Sequence, residues 1–367
     1  MKILTLCMSK DLGGLELYAL RSALALSKDH EVVFVTAKGG RLDNKLHELK
    51  LQTFYLNPAF RPLPLLSAYR LARIIDREKI DIVHMHWGKD LALASLAKRL
   101  SRRKPKLVYT RQMMITREKK DIYHRFLYAQ LDLMLTITRQ LEELCKRYLP
   151  GEHIRIQTLY YGVNPPDRFL DQNEVQQLRQ EKGFAADDFV VGLFGRLEEG
   201  KGQYLLISAL AEARARNKRL KALIVGHEML PGYRQQLKDM AETAQIDGQI
   251  VFNDFVDNPQ QLMQICDCIC LTTYEETFGL VLPEAMRAGV AVVGSNRGGV
   301  PEIIDHGKTG LLFESRDADD LCRQLCLLHD QPALKAELAT AGRQKADAQF
   351  DSAQHFAQLE KIFTDVS

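Results

Sequence analysis

The sequence predicts two doubly wound α/β domains, each built on a parallel sheet, facing one another across a cleft. Three observations carry that expectation. Apolar runs of strand length alternate with longer amphipathic stretches from end to end. The 367 residues exceed the size at which one hydrophobic core stops growing. The rhythm breaks once, in the Pro- and Asp-bearing GVNPPDRF at 162–169, and then begins again.

In the first half the strand candidates are MKILTLCM, HEVVFVTA, IDIVHMH, KLVYTR and LMLTIT, with helix-like segments such as LELYALRSALALSK and LLSAYRLARIIDREK between them. The second half repeats the pattern with DFVVGLFGR, KALIVGH, GQIVFNDF, CDCICLTT and VAVVGSN. The final AQFDSAQHFAQLEKIF has helical spacing and no strand after it, so it reads as a closing helix. In such folds functional groups lie at the C-terminal ends of the strands.

Composition narrows the partners. With 46% hydrophobic and 26% charged residues the chain reads as a soluble globular protein, and no stretch approaches a membrane span. Seven cysteines, an odd number lying mostly in apolar or helical runs, argue for a reducing compartment, the cytoplasm. Cys266, Cys268 and Cys270 alternate in ICDCICL and are expected to share one buried strand face rather than a metal. The net charge of +3 hides an asymmetry: residues 1–170 hold 30 Lys+Arg and 17 Asp+Glu (+13), leaving 20 and 30 (−10) beyond. The basic excess is densest in AKRLSRRKPK at 97–106 and continues through Arg111, Arg117, Lys119, Lys120 and Arg125. It reads either as solvated helix end and loop or as a surface for anionic lipid or an anionic acceptor; no motif for reading nucleic acid accompanies it. The opposite charges of the two halves would also favour closure of one upon the other.

Three glycine-bearing turns fall where a ligand cleft needs them. DLGGLE at 11–16 follows the first strand, and Gly13 and Gly14 let backbone approach a ligand closely. Its spacing is not that of a dinucleotide fingerprint. GRLEEGKG at 195–202 imitates a phosphate loop through Gly195, Gly200 and Lys201, but Gly202 stands where a magnesium-holding hydroxyl belongs. What remains is Arg196 and Lys201, a planar fork and a point charge suited to a diphosphate without a metal. In YEETFGLVLPEAMRA, Glu276 lies on a loop and Glu284 in the helix beyond Pro283, with backbone N–H groups around Phe278, Gly279 and Leu280 between them. Amides for phosphate and carboxylates for hydroxyls suit a ligand that bears both.

On these residues the chain resembles the retaining glycosyltransferases of family 4, which have the GT-B fold. The likeness runs through GGLE, VHMH at 83–86, YYGVN at 160–164, GRLEEGKG, ETFGLVLPE and GGVPEIIDHGKTG at 298–310. It implies an N-terminal acceptor-binding Rossmann-like domain over residues 1–163, completed by a returning C-terminal helix at 349–367. A nucleotide-sugar-binding domain then spans 164–348. It further implies that Arg196 and Lys201 bind and stabilise the departing diphosphate, that Glu276 holds sugar hydroxyls and that Glu284 holds the ribose. Backbone at Phe278, Gly279 and Leu280 would touch phosphate or sugar, Gly14 would approach the diphosphate, and Phe255 and Val256 would flank the base. His86 would sit near the reacting carbon, with Trp87, Arg111 and Gln112 on the acceptor side; no cofactor is implied. Where the family carries a histidine this chain offers Gln112, and where it carries asparagine and glycine, Tyr161 and His227. The expected reaction moves a hexose from a nucleoside diphosphate sugar, UDP-sugar favoured, to a glycan or lipid-linked glycan hydroxyl. Its setting would be lipopolysaccharide or other surface-glycan synthesis, in the cytoplasm or at the inner face of the membrane. A nucleotide-sugar epimerase of the same fold, and a non-catalytic nucleotide sensor, are the alternatives.

Overall fold

The structure is a computed structural model and describes residues 1–57, 60–151 and 154–367. It divides into two compact units, Met1–Tyr160 with Ala353–Ser367, and Tyr161–Ser352.

The first unit contains β1 (Lys2–Leu6), β2 (Glu31–Thr36), β3 (Thr53–Tyr55), β4 (Ile82–Met85), β5 (Lys106–Arg111), β6 (Leu133–Thr136) and β7 (Arg155–Thr158). They form one parallel sheet in the order β3-β2-β1-β4-β5-β6-β7, with Ile3 opposite Val32 on one side and Ile82 on the other. All four residues of β4 are buried, as expected for a central parallel strand covered on both faces. One face packs Ile3, Ile82, Val108 and Leu133 against Leu359 and Phe363 of the last helix, Ser352–Val366. Another cluster joins Cys7 and Phe34 to the helices Gly14–Leu26 and Arg41–Glu48.

The second unit carries β8 (Phe189–Phe194), β9 (Leu220–Val225), β10 (Ile250–Asn253), β11 (Cys268–Leu271), β12 (Ala291–Ser295) and β13 (Leu311–Phe313), parallel in the order β10-β9-β8-β11-β12-β13. Val191, Leu193, Ile224, Cys268, Cys270 and Val293 form its core with the helices Gln203–Ala215 and Ala318–Asp330.

The ten strand runs read from the sequence each hold a strand; β3, β7 and β13 were not read. All three are short and lie at sheet edges, where no long apolar run is needed. The cysteine expectation needs a correction. Cys268 and Cys270 do share a buried face, but Cys266 precedes β11 and its thiol lies 3.6 Å from the Leu262 carbonyl. It sits where a side chain on Gly192 would go, 2.8 Å from that position, on the face away from Val191 and Leu193. Among the described residues no group of three His, Cys, Asp or Glu is placed to hold a metal ion, and no helix is long and apolar enough to cross a membrane.

Candidate active site

The site of the second unit is assembled from the ends of β8, β11 and β12. β8 runs out into Gly195 and Arg196, and a short turn, Glu199–Lys201, leads to Gly202. Gly202 has φ +70°, and a Cβ there would stand 2.4 Å from the Thr272 carbonyl oxygen. Glycine is therefore required at the position where a phosphate loop places its hydroxyl, which is why the imitation fails. The Thr272 hydroxyl in turn donates to the Lys201 carbonyl at 2.8 Å, fixing the turn to β11.

Held this way, Lys201 Nζ meets Glu276 Oε2 at 2.7 Å. Their side chains are 25% and 21% exposed, so the pair is desolvated enough to matter yet open to a ligand. Arg196, half exposed, pairs through Nη2 with Glu198 Oε1 at 3.0 Å, and its carbonyl accepts from Gln203 Nε2 at 2.8 Å. The cation of Lys201 and the carboxylate of Glu276 are thus brought together; Arg196 leaves the same strand end with a different acid.

Glu276 is itself anchored by a segment whose role the sequence did not disclose. Gly299 N–H donates to the Glu276 carbonyl at 2.8 Å. Gly298, at φ +65°, lies so close that a Cβ would be 2.1 Å from that oxygen. The GGVPE stretch carried part of the family resemblance, but no role was read for its glycines. Ser295 Oγ donates to the Thr273 carbonyl and Ser315 Oγ to that of Tyr274, so the whole 273–276 loop is pinned from β12 and from the residues after β13.

Phe278 is 2% exposed and its ring packs edge-on to Tyr161 and Phe350, with centroids 5.3 and 5.8 Å away. Only its backbone can therefore serve a ligand. Gly279, at φ +88°, brings backbone against Leu271, where a Cβ would approach to 2.7 Å. Leu280 then precedes the helix Val281–Arg287, which carries Glu284 in its first turn. Phe255 is 63% exposed beyond β10, edge-on to His227 at 6.0 Å, and Val256 beside it is half-buried.

In the first unit, Gly14 opens the helix Gly14–Leu26, and a Cβ there would meet no protein atom within 4 Å. Nothing in the protein's own packing demands glycine at that point. His86 lies beyond β4 and is fully buried, its ring 4.0 Å from that of His84 and edge-on to Tyr18 at 5.6 Å. Its Nδ1 stands 3.4 Å from Gln112 Nε2, while Nε2 finds no hydrogen-bond partner among the described residues. Burial first, then the neighbouring His84, holds its pKa well below the usual imidazole value, so it is a neutral hydrogen-bonding group. Arg111 is buried, with Nη2 donating to the Met114 carbonyl, and Trp87 is half-buried.

Two doubly wound parallel sheets, one bearing a lysine and a carboxylate at adjoining strand ends, place the protein among the doubly wound α/β folds that take ligands beyond the C-terminal ends of their strands. Comparison with known proteins makes this specific. Residues 12–166 match the model described as Glycosyltransferase Family 4, and residues 174–345 match that of Glycosyl transferases group 1. The chain belongs to glycosyltransferase family 4, a retaining family of the GT-B fold. It is similar to the N-acetyl-alpha-D-glucosaminyl L-malate synthase of Bacillus anthracis, 27% identical over 352 residues, 92% of this chain and 90% of that protein. Its fold is that of Anabaena Alr3699/HepE, solved in complex with UDP, at TM-score 0.88 and 23% identity over the full length of both chains. It is likewise that of the lipopolysaccharide outer core galactosyltransferase WaaB, at TM-score 0.79 and 16% identity, also over the full length of both.

Proposed function

We propose that this enzyme transfers a hexose from a nucleoside diphosphate sugar, with UDP as the favoured carrier, to a hydroxyl of a glycan acceptor, retaining the anomeric configuration. The observation that carries the reading is the 2.7 Å contact between Lys201 and Glu276 at the ends of neighbouring strands. Lys201 and Glu276 are the two groups that a bound donor would separate. A diphosphate draws Lys201 away and leaves the Glu276 carboxylate to accept hydrogen bonds from sugar hydroxyls. Arg196 makes the same exchange from Glu198, and the two cations stabilise the negative charge that grows on the leaving diphosphate. Glu284 takes the ribose, the backbone at Phe278, Gly279 and Leu280 takes phosphate or sugar, and Phe255 and Val256 flank the base. Gly14 lends backbone to the diphosphate. His86, neutral, positions donor or acceptor without supplying a charge. The departing phosphate oxygens help take up the acceptor proton, so no carboxylate need flank the bond as in a glycosidase. That UDP is bound in the Anabaena structure, which shares the fold, supports the choice of base.

The acceptor we propose is a lipid-linked or otherwise anionic surface glycan met at the inner face of a membrane, as the name of the structurally similar WaaB suggests. The first unit supports contact with anionic lipid in a way the basic run alone does not. Arg103 turns back to Asp81 and the Ile80 carbonyl, and Lys104 to the Arg99 carbonyl, so the first ties its loop to the turn before β4 and the second to the preceding helix end. Outward instead lie Leu65, Leu66 and Tyr69 at the start of the helix Leu65–Glu78, with Ile122 and Phe126 of the helix Ile122–Tyr128. Tyr123 Oη donates to the Pro62 carbonyl at 2.5 Å, which joins the two apolar patches, and Arg99 lies over Phe126. Exposed apolar residues with the Arg99 guanidinium beside them suit an anionic bilayer surface.

A thermal-shift series with UDP, GDP and ADP tests the donor, and UDP is expected to raise the midpoint most. Glu276→Gln should keep UDP binding and lower sugar transfer about a hundredfold or more. Full activity in that variant would remove the sugar-holding role from Glu276.

A further inference from the structure

We propose that Arg61, Trp87 and Lys89 form a binding site for an anionic sugar or polyol at the switch point of the first unit's sheet, with Asp90 as the buried anchor of Arg61. The strand order reverses direction between β1 and β4, and the crevice beyond their C-terminal ends is where doubly wound sheets take ligands. Met8 follows β1, and Trp87, Lys89 and Asp90 follow β4. The turn therefore occupies that crevice.

Asp90 shows that the turn is built for something other than ending a helix. It holds the N-cap position of the helix Leu91–Leu100, where an aspartate ordinarily accepts from its own helix, yet it makes no such cap. Its carboxylate points to the neighbouring strand instead: Oδ2 accepts from the Met8 N–H at 2.8 Å and Oδ1 lies 3.5 Å from Arg61 Nη1. Asp90 is 1% exposed while the Arg61 side chain is 37% exposed. The pair is thus a charge rooted in the core and reaching out to solvent. Burial pushes the Asp90 carboxyl up to about 7, which leaves the Arg61 cation incompletely neutralised.

The chain's one tryptophan completes the site. The Arg61 guanidinium lies 4.5 Å from the Trp87 ring centroid, and Lys89 Nζ lies 5.0 Å from it. Two cations on one half-buried indole, against a single buried acid, make a patch with surplus positive charge and an apolar plate. A sugar ring would take the place of one cation on the indole, and its phosphate or carboxylate would meet the guanidinium fork and the ammonium so displaced. The site takes a ring with hydroxyls and one anionic substituent; it offers little to a neutral sugar.

This proposal rests on the reading that the first unit receives the acceptor, and it names the class of acceptor. The experiment uses the emission of Trp87, which no other tryptophan obscures. The full chain is titrated with glucose 6-phosphate and with glucuronate, as phosphate and carboxylate probes, and with methyl α-glucoside and inorganic phosphate at matched ionic strength as controls. Either anionic sugar is expected to change the emission saturably, and which does so identifies the substituent; the controls are expected to give no saturable change. Arg61→Ala should raise Kd about tenfold or more. Asp90→Asn should raise it less and make it more sensitive to salt. Should Arg61→Ala fail to fold, Lys89→Gln on the exposed turn must give the same direction of change. An equal response to inorganic phosphate, a titration unaltered by loss of Arg61 or Lys89, or no saturable change with either anionic sugar would each overturn the proposal. UDP stabilisation of the same protein, followed by thermal shift, reports on the donor reading alone, so the two can fail separately.

Discussion

At the scale of single residues, the donor site depends on a few backbone positions that admit no side chain. Gly298 is the sharpest case, since a methyl group there would overlap the carbonyl of the residue that carries the proposed sugar-binding acid. Gly298→Ala is expected to lower thermal stability by about 1 kcal/mol or more and to lower transferase activity beyond that loss, because Glu276 must move with its carbonyl. Equal activity per folded molecule, with stability measured alongside, would separate the glycine from the chemistry. Asp90 gives a second residue-scale expectation with a definite sign. Its pKa is raised in the folded state, so its contribution to stability is complete below the unfolded value near 4 and is lost as pH rises through about 7. Asp90→Asn should therefore change the melting temperature more favourably at pH 8.5 than at pH 5, read as the difference from wild type at each pH. The glycines at 13–14 and 195–202 and the pair of acids were legible as sequence because spacing alone exposes them. Asp90 was not, since an aspartate before a helix reads as a cap until the fold shows its carboxylate turned to another strand.

Among the elements, the helix Val281–Arg287 is held in place by its last residue. Arg287 is buried, and its guanidinium reaches Asp347 at 2.9 Å, Asp351 at 2.9 Å and the Val163 carbonyl. It thereby ties the helix that carries Glu284 to the end of the helix Pro332–Gln349. Removing it takes the buried guanidinium from both carboxylates and leaves Asp347 only the 3.7 Å approach of half-exposed Arg343, so Arg287→Ala should cost about 2–3 kcal/mol in a denaturant titration of the second unit. Lysine in its place would recover only part, lacking the fork that spans two acids. The helices Leu65–Glu78 and Ile122–Tyr128 carry an expectation of another kind. Replacing Leu65, Leu66 and Ile122 together by serine should abolish sedimentation with vesicles of anionic lipid while leaving the fold intact, since all three are exposed. Binding unchanged by that triple replacement would rule the apolar face out. Central strands announced themselves through continuous apolar runs, whereas β3, β7 and β13 did not, because an edge strand is paired on one side and needs less burial to be stable. Likewise the basic run at 97–106 was visible as charge, but not that Arg103 turns to Asp81 before β4 and Lys104 to the Arg99 carbonyl.

Taken as a whole, the chain concentrates its buried imidazoles in one unit. Burial depresses His84 to about 3 and His355 to about 4, and drives His86 well below its usual value. Unfolded, each would take up a proton near pH 6.5, so the stability they allow is present above that value and is lost as pH falls toward 4. Each can contribute a slope of up to about 1.4 kcal/mol per pH unit, which the opposite trend of Asp90 offsets only in part. Denaturant midpoints for the first unit should drop steeply between pH 6.5 and 4.5; a flat profile over that interval would mean the imidazoles are hydrated. Each half's rhythm of strands and helices is local and could be read directly. The partnership of His355 with Tyr18 and with the Tyr160 carbonyl, at 3.0 and 2.6 Å, joins residues from opposite ends of the chain, and no local pattern encodes it. That closing helix also decides the order in which the molecule can be made. While the protein is still on the ribosome, Tyr161–Ser352 can emerge and fold as an uninterrupted stretch, but the unit synthesised first lacks Leu359 and Phe363 from its core until the whole second unit has been made. The nascent N-terminal half must wait with an apolar sheet face uncovered, and a chain released before residue 352 would carry an older half that never closes.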